Sequence, residues 1–194
     1  MKRVHKSHPE PQELADYRAR LAKRPTPPSW KEFTSDPRRR EPVKTRLRDD
    51  QRGLCAYCEN RLIPEDESVE HFVPRSSDHA RELDWSNLLL CCAGGGRPLP
   101  EEAPDASTRY DPGSPKTCGH AKLANPSPLL NPLEVPAFPP LFSFSSETGA
   151  ILPDEANCRT AGVDVSLAGQ TITVLGLRAG RLNRARLSVL TMSF

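Results

Sequence analysis

A glutamate and a histidine stand side by side in the run Val69-Glu-His-Phe-Val-Pro74, and these two side chains could together hydrolyse an ester. An imidazole can take a proton from water near neutral pH, and a carboxylate oxygen is a ligand that Mg²⁺ prefers. Successive strand residues point to opposite faces, so Glu70 and His71 can share a site only where the strand ends. Pro74 fits such an end. Taken alone, the pair is more typical of an ordinary protein surface than of a catalytic site.

The cysteines upstream and downstream of this pair have the spacing of a metal site. Cys55 and Cys58 form a C-x-x-C motif, which can hold one tetrahedral Zn²⁺ from a tight turn. A redox motif of the thioredoxin kind would need a βαβ context, which we do not find around it. Either Cys91 or Cys92 could supply a further thiolate, and we favour Cys92, with Cys91 as a packed core thiol. The expected structural zinc ligands are Cys55, Cys58, Cys92 and Cys118.

Short motifs around both features resemble those of the zinc-bearing HNH endonuclease family. They are Cys55-x-x-Cys58, Glu70-His71-x-x-Pro74, Asn87-Leu88 with Cys92 five positions on, and Cys118 with Lys122 four positions on. Longer matches are similar to the PtuB-like HNH effectors of Septu-type and retron-associated antiphage systems. These are Gly53-Leu-Cys-Ala-Tyr-Cys-Glu59, Val69-Glu-His-Phe-Val-Pro74, Trp85-Ser-Asn-Leu-Leu-Leu-Cys-Cys92 and Asn131-Pro-Leu133. The resemblance covers about residues 53–133.

The resemblance implies a ββα-metal core, in which two strands and a helix clasp one catalytic divalent ion, Mg²⁺ or Mn²⁺. It implies that His71 deprotonates the attacking water and that Glu70 binds the ion. Asn87 would orient the loop that carries His71. His120 would be a second ligand of the ion, and Lys122 would either neutralise phosphate charge or be a solvated helix residue.

One position departs from the common HNH pattern, in which the last metal ligand directly follows the final cysteine. Gly119 stands at that position here, and His120 comes one residue later. Either the helix begins differently or His120 is not the ligand. Asp111 and Asn125 are weaker substitutes for that role.

The elements that must position these residues predict an α+β fold with three zones. Residues 1–52 read as a helical N-terminal extension, 53–133 as a zinc-bearing HNH nuclease core, and 134–194 as a small β-hairpin and helix extension. The predicted helices lie near residues 14–22, 41–51 and 182–190, and a further short helix is predicted to start near residues 118–120. The predicted strands lie at 69–73, within 85–92, in a hairpin around 142–152 and, more weakly, at 171–177. Residues 94–117 read as a loop rich in Gly and Pro.

Charge and hydropathy limit the classes of function. The net charge of +2 does not by itself indicate a nucleic-acid binder, although local clusters such as Arg38-Arg39-Arg40 can contact phosphate or be solvated helix faces. We find no signal peptide and no apolar run long enough to cross a membrane, so we expect a cytoplasmic protein without a membrane partner. In that compartment cysteines bind metals more often than they form disulfides.

These observations together predict a metal-dependent HNH endonuclease that hydrolyses phosphodiester bonds. DNA is the favoured substrate, and RNA stays open. The resemblance also implies an ATPase partner of the PtuA type within an antiphage defence complex. The alternative is a zinc-stabilised subunit that binds nucleic acid or docks to a larger assembly without cleaving anything.

Overall fold

The computed structural model describes residues 1–25, 28–103, 109–125 and 127–192. Its helices are α1 (Gln12–Leu21), α2 (Trp30–Thr34), α3 (Pro37–Asp50), α4 (Gly119–Lys122), α5 (Glu155–Thr160), α6 (Val165–Val174) and α7 (Gly180–Met192). Its strands are β1 (Glu67–His71), β2 (Leu88–Cys92), β3 (Phe142–Phe144) and β4 (Ile151–Pro153). Helices combined with two small antiparallel sheets confirm the predicted α+β class. Within the described residues, no helix is both long and apolar enough to span a membrane.

The central hairpin of β1 and β2 carries the Glu-His pair at the end where β1 leads into the loop that connects the two strands. Glu70 lies opposite Leu89 and His71 opposite Leu88, where the ladder ends. Every residue of β2 is buried, which its continuous apolar run predicted. On the other edge of β2, the side-chain amide of Gln51 pairs with the backbone of Leu90, as a neighbouring strand would. Its Oε1 accepts from the amide of Leu90 at 2.7 Å, and its Nε2 donates to the Leu90 carbonyl at 2.6 Å. The hairpin is therefore fixed to the end of α3.

The N-terminal helices are longer and more numerous than predicted. α3 begins at Pro37, ahead of the predicted start at residue 41, because Asp36 caps it by accepting from the amide of Arg38 at 3.0 Å. α2 was not predicted. Ser29 and Glu32 close a reciprocal capping box at its first turn, so five residues are enough to form it.

The C-terminal zone contains the predicted hairpin, formed by β3 and β4. The predicted strand at 171–177 is wrong, since most of that segment lies in α6. Asp164 caps this helix by accepting from the amide of Ser166, and Ala168, Ile172 and Leu175 bury one face at helical spacing. α7 includes the predicted helix at 182–190.

The connection between the two hairpins brings α4 back against the central one. The described parts of the predicted loop, 94–103 and 110–117, contain no helix or strand, and 104–108 lie outside the described residues. α4 has only four residues, and Cys118 and Leu123 on either side of it have left-handed φ values of 57° and 48°. Because every residue of a right-handed helix has a negative φ, the helix cannot extend through either of these residues.

Candidate catalytic groove and cysteine cluster

Four buried cysteines converge on one point beneath the hairpin. The Sγ atoms of Cys55, Cys58, Cys92 and Cys118 all lie within 4.8 Å of one another. The Cys55–Cys118 and Cys58–Cys92 distances are 3.8 Å, and the Cys92–Cys118 distance is 3.7 Å. Four Zn–S bonds of about 2.3 Å at tetrahedral angles separate the sulfur atoms by about 3.8 Å. The cluster therefore has the size of a Cys₄ zinc site, and its sulfur distances are far too long for disulfides.

The alternation of β2 decides between the two adjacent cysteines. Cys92 points into the cluster, where its amide also donates to the Sγ of Cys55 at 3.4 Å. Cys91 is equally buried but lies outside the cluster, opposite Ser68 in the ladder. Burial raises the pKa of the Cys91 thiol, so it packs as a neutral core side chain.

A groove at the end of β1 brings Glu70 and His71 together. Both line it although they are adjacent in the strand, because His71 is the last residue of β1 and the chain turns there. The other lining residues are Val69, Pro74, Arg75, Ser76, His79, Glu82, Gly119, Leu123 and Ala124. The groove is thus formed by the strand, the loop that follows it and α4.

The ring of His71 is held in one orientation and one tautomer. Its Nε2 lies 2.9 Å from the carbonyl oxygen of Glu82, and since a carbonyl only accepts, Nε2 carries the proton. Burial lowers the pKa of His71 to about 4, so the ring is neutral near pH 7. Nδ1 has no hydrogen-bond partner among the described residues, and in this tautomer it holds a free lone pair. The arrangement leaves a basic nitrogen available to a water molecule.

Lys122 lies buried against the carboxylate of Glu70. Its Nζ is 2.7 Å from Oε1 of Glu70 and donates to the His71 carbonyl at 3.0 Å, and its side chain is 2% exposed. Burial raises the pKa of Glu70, and the charge of Lys122 opposes that shift. The structure therefore places Lys122 as a partner of Glu70, away from the solvent position that one of its predicted roles required.

Asn87 ties together the two ends of the loop between the strands. Its Oδ1 accepts from the amide of Val73 at 2.7 Å, and its Nδ2 donates to the carbonyls of Val73 at 3.1 Å and Arg81 at 3.0 Å. Asn87 is 1% exposed, so its side-chain amide is shielded from water and depends on these protein partners. These contacts hold the backbone of the loop at Val73 and Arg81, on either side of the groove residues between them, which suits the predicted orienting role.

Gly119 is required because the carboxylate of Glu70 fills the space beside it. A Cβ atom at position 119 would lie 2.5 Å from Oε2 of Glu70. The ring of the next residue, His120, lies against Gly96, where it fills the space that a Cβ at position 96 would need. His120 does not line the groove. Its predicted role as a second metal ligand stays a prediction, and it would require the ring to leave Gly96.

The two substitutes for His120 also lie elsewhere. Oδ2 of Asp111 is 3.9 Å from Nη2 of Arg184, and Oδ1 of Asn125 accepts from the amide of Ser127 at 2.9 Å. Neither residue lines the groove.

Sequence reasoning missed three residues of the site: Trp30, Arg75 and Glu82. The rings of Trp30 and His71 meet edge to face with 5.1 Å between ring centroids, and nothing in the sequence links positions so far apart. The carboxylate of Glu82 accepts from the amide of Trp30 and bonds the exposed His79, each at 2.8 Å. Arg75 is exposed on the groove and makes no hydrogen bond or ion pair with any described residue. Its place directly after Pro74 was the available signal.

Gly119→Ala should separate activity from stability. Alanine favours a helix over glycine by about 0.8–1 kcal/mol, yet its Cβ would push Glu70 aside. We expect a melting temperature near that of the wild type and a loss of hydrolytic activity of about 10²-fold, the cost of a misplacement of about 1 Å. Gly169→Ala is the matched control, because the nearest atom to its Cβ would be Cγ of Pro153 at 3.9 Å. An active Gly119→Ala variant would mean that the position of Glu70 does not matter.

Comparison with known proteins identifies the family of the chain. No family model matches it. It is 32% identical over 209 residues to a protein of Escherichia coli named "Retron Ec83 putative HNH endonuclease", and the match covers 98% of this chain and 79% of that protein. Identity at this level along nearly the whole chain means that the protein belongs to the HNH endonuclease family.

Proposed function

We propose that the protein is a divalent-metal-dependent endonuclease whose hydrolytic centre is the groove of Glu70 and His71. The observation that carries the proposal is the fixed tautomer of His71, which leaves a basic Nδ1 in a residue that lines the same groove as the half-buried carboxylate of Glu70. Membership of the HNH endonuclease family supports a nuclease function. Without the pairing of base and carboxylate in one groove, the same fold would support binding alone.

His71 takes the proton of the attacking water. Its pKa of about 4 keeps it unprotonated near neutral pH, and the bond from Nε2 to the Glu82 carbonyl grows stronger as the ring gains positive charge. A buried imidazole is otherwise a weak base. The Glu82 carbonyl therefore stabilises the protonated form that the reaction must pass through.

Glu70 fits the role of metal ligand. It presents a carboxylate at the groove, one oxygen paired with Lys122 and the other beside the bare backbone of Gly119. Carboxylate oxygen is the donor type that Mg²⁺ and Mn²⁺ take. A bound ion would supply Lewis-acid stabilisation of the phosphate and the leaving oxygen. The Cys₄ cluster does not fit that role, since four thiolates leave no open position on a zinc ion.

Arg75 is the cation that we propose for contact with the substrate phosphate. The sequence alone offered Lys122 for that role, but its Nζ is occupied by Glu70 and the His71 carbonyl. Arg75 is exposed on the groove, and its guanidinium has no bonded partner among the described residues. A planar guanidinium matches two phosphate oxygens at once.

The substrate and setting are further parts of the proposal. We propose DNA as the preferred substrate, with RNA as the alternative, and a defence complex in which an ATPase licenses cleavage. The retron in the name of the Escherichia coli relative and the resemblance to PtuB-like effectors support that setting. A docking subunit without activity is the second candidate. The arrangement of Glu70 and His71 in one groove argues against it, because docking alone would not require a base and a carboxylate at the same place.

Cleavage by wild type and Glu70→Gln tests the proposed function. Zinc-loaded protein, alone and co-expressed with an ATPase of the proposed PtuA type, is incubated with plasmid, linear duplex, single-stranded DNA and RNA under Mg²⁺, Mn²⁺ or chelator. We expect saturable dependence on Mn²⁺ or Mg²⁺, and a loss of at least about 10²-fold in Glu70→Gln, which keeps the shape but weakens the ligand. Glu155→Gln, at an exposed ion pair of α5, is the control. If no substrate is cut under any condition, the docking alternative replaces the nuclease.

A further inference from the structure

The residue that orients His71 lies on a loop that is held in place by contacts from the N-terminal extension. We call residues 72–87, between β1 and β2, the base loop. Its Glu82 carbonyl accepts the bond from His71 Nε2 at 2.9 Å. A shift of this carbonyl would release the ring and allow the other tautomer, in which Nδ1 carries the proton and can no longer act as a base.

Backbone and side chains of the N-terminal extension hold the base loop and the start of β2. The amide of Trp30, the first residue of α2, donates to Oε2 of Glu82 at 2.8 Å in a buried bond. Arg18 of α1 donates to the carbonyl of Leu83 at 3.2 Å. Lys6 donates to the carbonyl of Leu88 at 2.7 Å and also to that of Trp85. The bond from the Trp30 amide is the most direct of these contacts, because Glu82 also supplies the carbonyl that orients His71.

A row of aromatic rings leads from α1 to the base itself. Tyr17 meets Phe33 edge to face with 5.3 Å between ring centroids, and Phe33 lies 5.5 Å from Trp30. Trp30 then meets His71 edge to face at 5.1 Å. Tyr17, Phe33 and Trp30 are buried, so the ring of His71 packs on the core of the N-terminal extension. Aromatic pairs in such geometry each contribute about 0.5–1.5 kcal/mol beyond their buried area.

We propose that Trp30 and Glu82 are positioning residues for His71, so that the N-terminal extension is a working part of the catalytic centre. Glu82 supplies the carbonyl that selects the tautomer. Trp30 holds the Glu82 carboxylate through its backbone amide and packs on the imidazole through its ring. This inference depends on the proposed function of the groove. Neither residue needs to touch the substrate for its loss to slow the reaction.

Steady-state kinetics of Glu82→Ala and Glu82→Gln test the proposal. Alanine removes the acceptor for the Trp30 amide, and we expect kcat to fall about 10²-fold while KM changes by less than about threefold. Glutamine keeps a carbonyl acceptor of the same shape and should restore kcat to within about threefold of the wild type. Trp30→Phe should likewise retain more activity than Trp30→Leu, because phenylalanine keeps an aromatic edge for His71.

Val43→Ala is the matched control for loss of stability. Val43 is fully buried in α3 but contacts neither residue of the proposed pair in any hydrogen bond or ring contact of the described residues. It should lower the melting temperature and leave kcat unchanged below the transition. If Val43→Ala lowers kcat as much as Glu82→Ala does, the extension supports only the fold and the positioning role is wrong.

The imidazole signals of His71 in a ¹⁵N NMR spectrum give a second measurement that needs no cleavage. In the wild type we expect one neutral tautomer with a protected Nε2 proton. In Glu82→Ala we expect mixed tautomers and fast exchange of that proton, while Glu82→Gln should keep the wild-type pattern. An unchanged tautomer in Glu82→Ala would overturn the positioning role of Glu82, whether or not the protein cuts a substrate. If the tautomer changes but the wild type cuts no substrate, the positioning of His71 is supported and the proposed function of the groove is wrong.

Discussion

Replacing His71 with alanine should lower the rate of phosphodiester cleavage by a factor of about 10² to 10⁴, the contribution of a general base. The expectation follows from the ring: Nε2 is committed to the Glu82 carbonyl, and Nδ1 is the basic atom left at the groove. Lys122 and Glu82 cannot substitute. The first is paired with Glu70, and the carboxylate of the second is bonded to the Trp30 amide and His79.

Substrate affinity should stay nearly constant in the same variant. In the proposed centre Arg75 and the metal contact phosphate, so His71→Ala should change the dissociation constant for nucleic acid by less than about threefold. His5→Ala is the control for the loss of an imidazole, because His5 is exposed and distant from the groove. A loss of affinity that parallels the loss of rate would show that His71 binds the substrate instead of activating water.

Cys58→Ser or Cys55→Ser should unfold the core of the protein. The four thiolates join the C-x-x-C turn, the end of β2 and the start of α4. Because β2 pairs with β1 and both β1 and α4 line the groove, the cluster supports the groove from beneath. The binding free energy of a structural zinc ion, about 10–16 kcal/mol in small peptides, is folding free energy in such a site. We therefore expect the cooperative thermal transition and the stoichiometric zinc to disappear together, measured by circular dichroism and elemental analysis.

Cys158→Ser is the matched control for the zinc prediction. Cys158 is as buried as the cluster cysteines but lies outside it, with its Sγ 3.5 Å from the carbonyl of Leu141, an acceptor that serine can also use. Its substitution should keep the zinc content and cost about 1 kcal/mol, a typical value for a single core change. Well-folded wild type without zinc, or Cys58→Ser with a wild-type transition, would contradict the structural zinc.

Residue type and spacing predicted the parts of the site that are local in the chain. The C-x-x-C turn and the strand that ends at His71 follow from short-range geometry. The sequence favoured Cys92 over Cys91 but left the choice open, and the structure places Cys92 in the cluster. The alternation at 171–177 was misread because period 2 over a few apolar residues does not exclude a helix when a cap precedes it. Asp164 was the signal that should have decided it.

Contacts between distant segments could not be predicted. Lys122 looked like a solvated helix residue or a phosphate ligand, and only the packing of α4 on β1 shows that its amine is paired with Glu70. Trp30 reaches His71 through a fold that no local pattern encodes. Gly119 first seemed to be a ligand position that had been lost. The structure shows that the carboxylate of Glu70 occupies the space that a side chain there would need.

In the proposed centre His71, in a groove with Glu70, drives metal-dependent cleavage. The most direct measurement is the single-turnover cleavage rate of plasmid DNA by wild type and His71→Ala, both zinc-loaded and in the same Mn²⁺ buffer. We expect the wild type to cleave and the variant to be slower by about 10² to 10⁴, with chelator stopping the wild type. Equal rates in the two proteins would contradict the claim.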